Sequence, residues 1–500
     1  IVINSQEKAL RHARKSGEEF ENWRDTREMW VHFFQNPQKA EKAGIDIDSL
    51  EQAALDLETE LSKKSAVFRK HFDTSTYNWQ DVRHSLNPGE AAVDIIQFPK
   101  RDKLRWSDTA VYIAMIIRHD TEDHPEIAVL DTTDEIEAKH IQTYKKLNEG
   151  KFAAGGSQKG ISPASEDEIK TLQELYVAFW GKIDQKLDGV ERVYLVPDGV
   201  YHKINPNTLI NPETGKYLLE EKDICLITHS NDLIEKEKYH DEPASGKNAY
   251  LVGNPTFNLS DQFASTEDVL IDFELKRNFE FIPDRSFAPL PGTEAEVKAI
   301  SETLAGNNWN CRLMLGAQAQ ESSIKELDNP GILHLATHGV FLEETERLED
   351  LAMQDFQRTK YVENPLLRSM LLLAGAENTI SGEPPAEEDD GILTAYEVMN
   401  MDLDNTELVV LSACETGLGE VRNGEGVYGM QRAFRMAGAK TLIMSLWQVG
   451  DKATRELMTT FYENWLSGKS KREAFRSAQL ELKEKYNDFY YWGGFVMVGE

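Results

Sequence analysis

Two stretches of the sequence, ILHLATHGVF (332–341) and LVVLSACETGLG (408–419), give the clearest indication of the fold of this chain. Each begins with a run of aliphatic and β-branched residues, which is typical of a buried strand, and then passes into polar and glycine residues. Around them, apolar runs alternate with segments of helical periodicity. This alternation predicts an α/β fold with a mostly parallel sheet that is covered by helices.

Reactive side chains follow both of these strands. The first strand is predicted to end at Ala336 and is followed by His338 and Gly339, and the second leads to Cys414. Catalytic groups in parallel sheets lie beyond the carboxyl ends of the strands, so both side chains are expected at one edge. An imidazole within reach makes a thiol a strong nucleophile. We therefore expect His338 to be a general base and Cys414 a nucleophile, with the N–H groups of Gly339 and Cys414 as candidate oxyanion-hole donors.

Three other residues of the same types have structural interpretations. Cys225 and Cys311 lie inside or at the start of predicted strands and are expected to be small buried residues. His334 lies between two leucines of its strand, which favours a core histidine over a catalytic one.

The 500 residues divide into three predicted regions. Residues 1–85 are predicted to form a helical arm, because apolar residues recur with helical spacing from Leu50 to Phe68. Residues 86–245 hold a first set of strands and helices. Residues 246–500 hold a second set, in which strand and helix alternate most clearly.

Several details of the last region are predicted from local patterns. Thr293 is expected to cap a helix over 293–304, with Glu296 three residues later completing a capping box. A further helix is predicted over 427–436. The apolar run at 494–498 is predicted to close the chain as another parallel strand.

The composition excludes several classes of protein. The 55 Lys and Arg residues against 86 Asp and Glu give a net charge of −31, which is unfavourable for binding nucleic acid or an anionic membrane surface. No apolar run is long enough to predict a membrane-spanning helix. The three scattered cysteines predict neither a disulfide framework nor a zinc site, and they favour a cytoplasmic setting. The chain starts at Ile1 without a Met or a basic leader, so we expect Ile1 to be a cut inside a longer protein.

Two patterns that suggest cofactors or metals are better explained in other ways. GEGVYG (424–429) matches the glycine spacing of dinucleotide-binding loops, but the preceding strand ends near Ala413, too early for that tight turn. Glu425 would also repel a pyrophosphate. The cluster Glu122-Asp123-His124 has no further ligand nearby and is interpreted as a solvated turn. No cofactor and no metal is therefore expected.

Taken together, the His-Gly and Ala-Cys segments resemble the caspase-haemoglobinase group of cysteine peptidases. Within that group the sequence is most similar to the CHAT domain, a separase-like peptidase domain that is often fused behind tetratricopeptide repeats (TPRs). The resemblance covers roughly 86–500. It is carried by LPGTEAEV (290–297), LHLATHG (333–339), NPLLRSMLLLAG (364–375), DDGILTAYEV (389–398), LSACETGLGEVRNGEGVYGMQRAFRMAGA (411–439), SLWQVGD (445–451), YWGGFVMVG (491–499) and, in the first half, VPDGVYHKINPNTL (196–209).

The resemblance implies a caspase-like fold in two halves, a degenerate half over 86–245 and a catalytic half over 246–500. It implies an endopeptidase that uses His338 and Cys414 and cleaves proteins through a thioester acyl-enzyme. Helical residues 1–85 are then the connection to upstream TPRs.

Asp451 is the main candidate for substrate specificity. It lies at a place similar to one where separase-like enzymes carry an acid that binds a basic residue before the scissile bond. An N-cap role for a helix beginning near Lys452 is an equally good interpretation. Glu415 and Glu425 are weaker candidates for the same pocket.

The resemblance also implies regulation. The expected partners are a protein substrate and an activating protein that engages the TPR region, in a setting such as bacterial defence or regulated cell death. The acidic segments 342–363 and 376–390 are predicted to be solvated loops, with gating of the cleft as a sharper hypothesis. The competing class is a non-catalytic scaffold, in which the peptidase fold and the helical arm only bind partners.

Overall fold

The structure of the chain is a computed structural model. It describes residues 22–23, 25–27, 29–30, 33, 40, 43–64, 77–102, 105–153, 164–238, 246–259, 286–342, 364–381, 390–413, 420–422 and 426–499.

The strands of these residues fall in three sheets. In chain order, they are β1 Glu90–Asp102, β2 Arg105–Arg118, β3 Glu126–Thr132, β4 Arg192–Val196, β5 Asp223–Leu226, β6 Asn248–Pro255, β7 Asn310–Gly316, β8 Ile332–Ala336, β9 His338–Phe341, β10 Ser369–Leu372, β11 Ile392–Thr394, β12 Leu408–Leu411, β13 Glu420–Arg422, β14 Gly426–Tyr428, β15 Leu442–Ser445 and β16 Phe495–Val498.

The helices include two long ones that each contain a π-helical stretch, α3 and α4. The helices are α1 Ile47–Lys64, α2 Trp79–His84, α3 Thr133–Ala153, α4 Glu166–Asp184, α5 Leu218–Glu221, α6 Asn231–Lys238, α7 Pro291–Ala305, α8 Glu321–Lys325, α9 Ala376–Ile380, α10 Ala395–Val398, α11 Met430–Ala437, α12 Asp451–Leu466, α13 Lys471–Lys485 and α14 Phe489–Trp492.

The central sheet has 11 strands in the order β3-β2-β1-β4-β5-β16-β15-β12-β8-β6-β7. Seven neighbouring pairs are parallel, and three are antiparallel. Every residue of β8, β12, β15 and β16 is buried, so both faces of the sheet are covered there. The predicted α/β fold with a parallel-rich sheet and flanking helices is thus confirmed.

The strands of the two predicted halves occupy opposite sides of this one sheet. Strands β1 to β5 form one side, and the six strands from residue 248 onward form the other. One hydrophobic core runs through both sides. A boundary near residue 245 stays a prediction.

The closing strand corrects one expectation. β16 runs antiparallel to β15 rather than parallel. Helices α12 and α13 form an antiparallel hairpin, as two side-chain hydrogen bonds between them show: Asn464 donates to Glu481 and Lys485 donates to Glu456. The hairpin returns the chain to the edge at which β15 ended, so the next strand must run the opposite way.

Three local predictions in the last region are also wrong. α7 begins at Pro291 with Leu290 as its N-cap residue, so Thr293 is inside the helix and forms no capping box with Glu296. The helix predicted over 427–436 begins only at Met430, because 426–428 form β14 in a hairpin with β13. Within the predicted loop 376–390, residues 376–380 form a helix with four buried side chains.

The remaining predicted elements agree in kind with the structure. The strands and helices predicted for residues 86–245, and the alternation of strand and helix predicted for 246–500, are both present. Helical spacing from Leu50 is confirmed by α1, while Phe68 lies outside the described residues. Most of both acidic segments, 343–363 and 382–389, also lies outside them.

Candidate functional site

The candidate site lies at the carboxyl edge of β8 and β12. These strands are neighbours and run parallel, with Val410 opposite His334. Beyond the ladder, the Ser412 N–H donates to the Leu335 carbonyl at 2.9 Å, so the two strands end at the same edge. This confirms the predicted arrangement of the strands. Cys414, Glu415 and Glu425 lie outside the described residues, which run to Ala413 after β12 and resume at β13.

His338 is the first residue of β9, in a small sheet that begins where β8 ends. It faces Leu372 of β10 across an antiparallel ladder, and Gly339 faces Leu371. Its Nε2 lies 3.0 Å from the carbonyl oxygen of Ala288. A carbonyl can only accept, so Nε2 carries a hydrogen, and in the neutral form of this tautomer the lone pair is on Nδ1.

Two phenylalanine rings flank this imidazole. The Phe257 ring centroid is 5.1 Å from that of His338, and the Phe287 centroid is 5.9 Å away. Neither these rings nor the Ala288 carbonyl belong to the site predicted from the sequence. No sequence signal marks the carbonyl, because every residue carries one.

Asn254, just before the end of β6, holds the segment that supplies Ala288. It adopts a left-handed conformation with φ of 46°. Its Oδ1 accepts from the Leu290 N–H at 2.8 Å, and its own N–H donates to the Thr293 hydroxyl at 2.9 Å. The start of α7 is therefore tied to the same sheet edge. This accounts for Thr293, whose hydroxyl serves a tertiary contact instead of a helix cap.

His334 is fully buried and has a structural role, as its sequence position predicted. Its Nε2 lies 2.9 Å from Glu296 Oε1 and its Nδ1 3.3 Å from the Tyr462 hydroxyl. Burial raises the pKa of Tyr462 well above its ordinary value, so this hydroxyl stays protonated. The three groups link β8 to α7 and α12, and Glu296 is used in this link rather than in a capping box.

Asp451 is exposed and is the first residue of α12, after the N-cap residue Gly450. It makes no side-chain cap bond, so the N-cap interpretation is wrong. Its carboxylate lies against Gly292 in the first turn of α7, where a Cβ would come within 2.1 Å of Oδ2. Gly292 follows Ala288 by four residues, which limits their Cα separation to about 14 Å. Asp451 therefore lies near the segment that holds His338.

The two cysteines predicted to be structural are both free thiols. Cys225 is buried and Cys311 partly buried, and burial raises the pKa of each thiol. In the described ranges, no group of three or more His, Cys, Asp or Glu side chains could hold a metal ion. Nor is any helix in that part of the chain long and apolar enough to cross a membrane.

Comparison with protein families identifies the chain. The model of the CHAT domain family matches residues 170–500, and the chain belongs to this family. The resemblance noted from the sequence motifs is thereby confirmed.

Two curated relatives are similar over part of the chain. Human tetratricopeptide repeat protein 28 is 27% identical over 222 residues, which is 43% of this chain and 8% of the relative. The mouse protein of the same name is 28% identical over 224 residues, 43% of this chain and 9% of the relative. The chain thus spans under a tenth of the length of these relatives.

Comparison with solved structures finds two further similar proteins. The Saccharomyces cerevisiae separase–securin complex is 10% identical with a TM-score of 0.44, over 84% of this chain and 30% of the other. The Arg-specific cysteine proteinase gingipain R is 10% identical with a TM-score of 0.34, over 74% of this chain and 75% of the other.

Proposed function

We propose that this chain is a cysteine endopeptidase in which His338 and Cys414 form a catalytic dyad. One observation carries the proposal: the Ala288 carbonyl lies 3.0 Å from Nε2 of His338. This contact orients the ring and leaves Nδ1 as the base. Cys414 is bonded to Ala413, at the edge where β12 ends beside β8. Membership of the CHAT domain family supports the same chemistry.

The proposed reaction has two steps. His338 takes the thiol proton, and Sγ of Cys414 attacks the carbonyl carbon of the scissile bond. The carbon–nitrogen bond then breaks, the nitrogen takes the proton from His338, and a thioester remains on Cys414. Water hydrolyses the thioester and restores the thiol. N–H groups of Gly339 and Cys414 are the proposed donors to the oxyanion.

We further propose that Asp451 binds a basic side chain before the scissile bond, and that Glu415 contributes to the same pocket. The exposed Asp451 carboxylate, close to the segment that holds His338, supports this role. A peptide library that varies the residue before the bond tests it. Loss of an Arg or Lys preference in Asp451→Asn is expected, and a preference that survives this change contradicts it.

The proposed regulation places an activating protein on the N-terminal region, in a cytoplasmic setting. A contact between the arm and the body supports coupling between them: Arg27 Nε donates to the Tyr396 hydroxyl at 2.8 Å. The curated relatives are tetratricopeptide repeat proteins, which supports repeats as the receiving region.

A cysteine-directed activity probe tests the dyad. In the presence of its activator, the protein should be labelled at Cys414, and His338→Ala should slow labelling by at least about 100-fold, because base catalysis is lost. Cys311→Ala is the control and should label normally, since burial raises the pKa of that thiol. Absence of labelling at Cys414, or undiminished labelling in His338→Ala, would favour the non-catalytic scaffold instead.

A further inference from the structure

A cavity of about 420 Å³ lies at the carboxyl ends of β6 and β7. Its lining includes the apolar residues Phe257, Phe287 and Leu315 and the acidic residues Glu294 and Glu377. This size suits one long side chain with space for neighbouring backbone.

The cavity adjoins His338 on the side away from β12. Phe257 and Phe287 line the cavity and also flank the imidazole, at ring distances of 5.1 and 5.9 Å. In the sheet, β8 has β12 on one side and β6 on the other. The cavity therefore lies across His338 from the strand that leads to Cys414.

The chemistry of the proposed reaction determines which part of a substrate lies there. The acyl carbon stays bonded to Cys414 Sγ, while the departing nitrogen takes its proton from His338. The residue that carries this nitrogen, the first one after the scissile bond, must therefore lie beside the imidazole. The cavity on the far side of His338 offers space for its side chain. This step depends on the proposed function.

The charges of the lining select the side chain. The carboxylate of Glu294 pairs with Lys298 at 2.6 Å, and this hydrogen bond lowers its pKa. Glu377 is partly buried, and among the described residues its carboxylate accepts from two neutral donors, Asn258 Nδ2 at 2.9 Å and the Phe287 N–H at 3.3 Å. No cationic side chain in the described part of the chain forms an ion pair with it.

We propose that this cavity binds the side chain of a lysine or arginine that directly follows the scissile bond. The aliphatic stem packs on the two phenylalanine rings, and the cationic head reaches the Glu377 carboxylate. A neutral side chain of the same length fills the cavity but leaves that carboxylate without a cation.

Binding of the leaving segment tests this proposal without cleavage. Two fluorescein-labelled pentapeptides with free amino termini differ only in their first residue, lysine or norleucine, and their affinities for the full chain are measured by fluorescence polarisation. The lysine peptide should bind about tenfold more tightly. Glu377→Gln keeps an oxygen that can accept from the Phe287 N–H, but should reduce the preference to about twofold or less. Glu302→Gln, on the exposed side of α7, should retain it.

Equal affinity for the two peptides, or a lysine preference that survives Glu377→Gln in a folded protein, overturns the proposal. The test separates this proposal from the dyad. If the chain prefers the lysine peptide but is never labelled at Cys414, the proposed pocket is supported and the proposed peptidase activity is contradicted. A chain that labels and cleaves without this preference keeps the peptidase and loses the pocket.

Discussion

Single carboxyl groups show how strongly this interior changes acid–base chemistry. Glu321 is buried beside Asp390 and Glu397, and Lys325 Nζ lies 2.9 Å from Glu321 Oε1 and 3.4 Å from Glu397 Oε1. Burial, followed by the charge of Glu397, raises the pKa of Glu321 well above its ordinary value and that of Asp390 to about 6. One lysine does not offset the neighbouring acidic groups, so Glu321 retains its proton near neutral pH.

This cluster predicts a pH dependence of stability. A carboxyl group whose pKa is raised by folding keeps its proton in the folded chain at pH values where the unfolded chain has lost it. Its contribution to the free energy of unfolding therefore falls as pH rises from about 4 through 6 and beyond. Glu321→Gln mimics the protonated acid. Relative to the unchanged protein, we expect this variant to gain at least about 1 kcal/mol in unfolding free energy between pH 5 and pH 8.

Urea unfolding of both proteins at each pH measures the difference. Glu326→Gln, an exposed position just after α8, is the control and should differ from the unchanged protein by a constant amount. A constant difference for Glu321→Gln as well would mean that the buried acid does not titrate in this range.

Among the elements, α10 connects the N-terminal arm to the sheet that contains His338. Tyr396 of α10 packs against Trp30 at 5.2 Å and beneath the Arg27 guanidinium at 4.5 Å. α10 directly follows β11, which pairs with β10, which pairs with β9. β11, which leads into α10, is therefore two strand spacings, about 10 Å, from β9 and His338.

Truncation of Tyr396 should release the arm. Tyr396→Ala removes the ring on which Arg27 and Trp30 pack, and we expect faster amide exchange throughout α1, equivalent to a loss of about 2 kcal/mol in local stability. Tyr396→Phe removes only the hydroxyl that accepts from Arg27, so its effect should be smaller. Hydrogen–deuterium exchange measures both. Unchanged exchange in Tyr396→Ala would show that other contacts hold the arm.

The two sides of the central sheet meet at β5 and β16, whose pairing is short. β5 and β16 share one backbone pair, Leu226 with Val498. The buried Arg472 strengthens this join, because its Nε lies 2.9 Å from Asp223 Oδ1. Burial opposes ionisation of Asp223, yet Arg472 and Arg192 hold its pKa below its ordinary value.

Arg472→Ala should destabilise both sides of the sheet together. It leaves Asp223 with one cation, and we expect a loss of about 3 kcal/mol in unfolding free energy. One core runs through both sides, so calorimetry should show a single transition at lower temperature. Arg472→Lys keeps the charge but not the guanidinium geometry and should lose less. A transition that splits in two would instead mean that the sides fold independently.

The sequence could predict features that depend on local pattern. The apolar runs before His338 and Cys414 identified β8 and β12, and parallel alternation required them to end at one edge. The position of His334 between leucines likewise predicted a core histidine. Successive side chains of a strand point to opposite faces, and both faces of β8 are buried. Domain boundaries and the roles of His338, Gly339, Cys414, Glu415 and Asp451 remain predictions.

Local pattern failed where distant groups compete for the same atoms. Thr293 and Glu296 have the spacing of a capping box. In the structure, however, the Thr293 hydroxyl accepts from the Asn254 N–H, and the Glu296 carboxylate bonds to His334. A buried imidazole needs its partner more than an exposed helix end does, because an unpaired buried polar group is costly.

Residue type and periodicity were sufficient to predict the alternation of strands and helices, the shared edge at which β8 and β12 end and the acidic character of the chain. The Ala288 carbonyl beside His338, the antiparallel β16 and the cavity at Glu377 emerge only in the folded chain. These depend on backbone atoms and chain reversals that bring distant segments together, and no residue type encodes them.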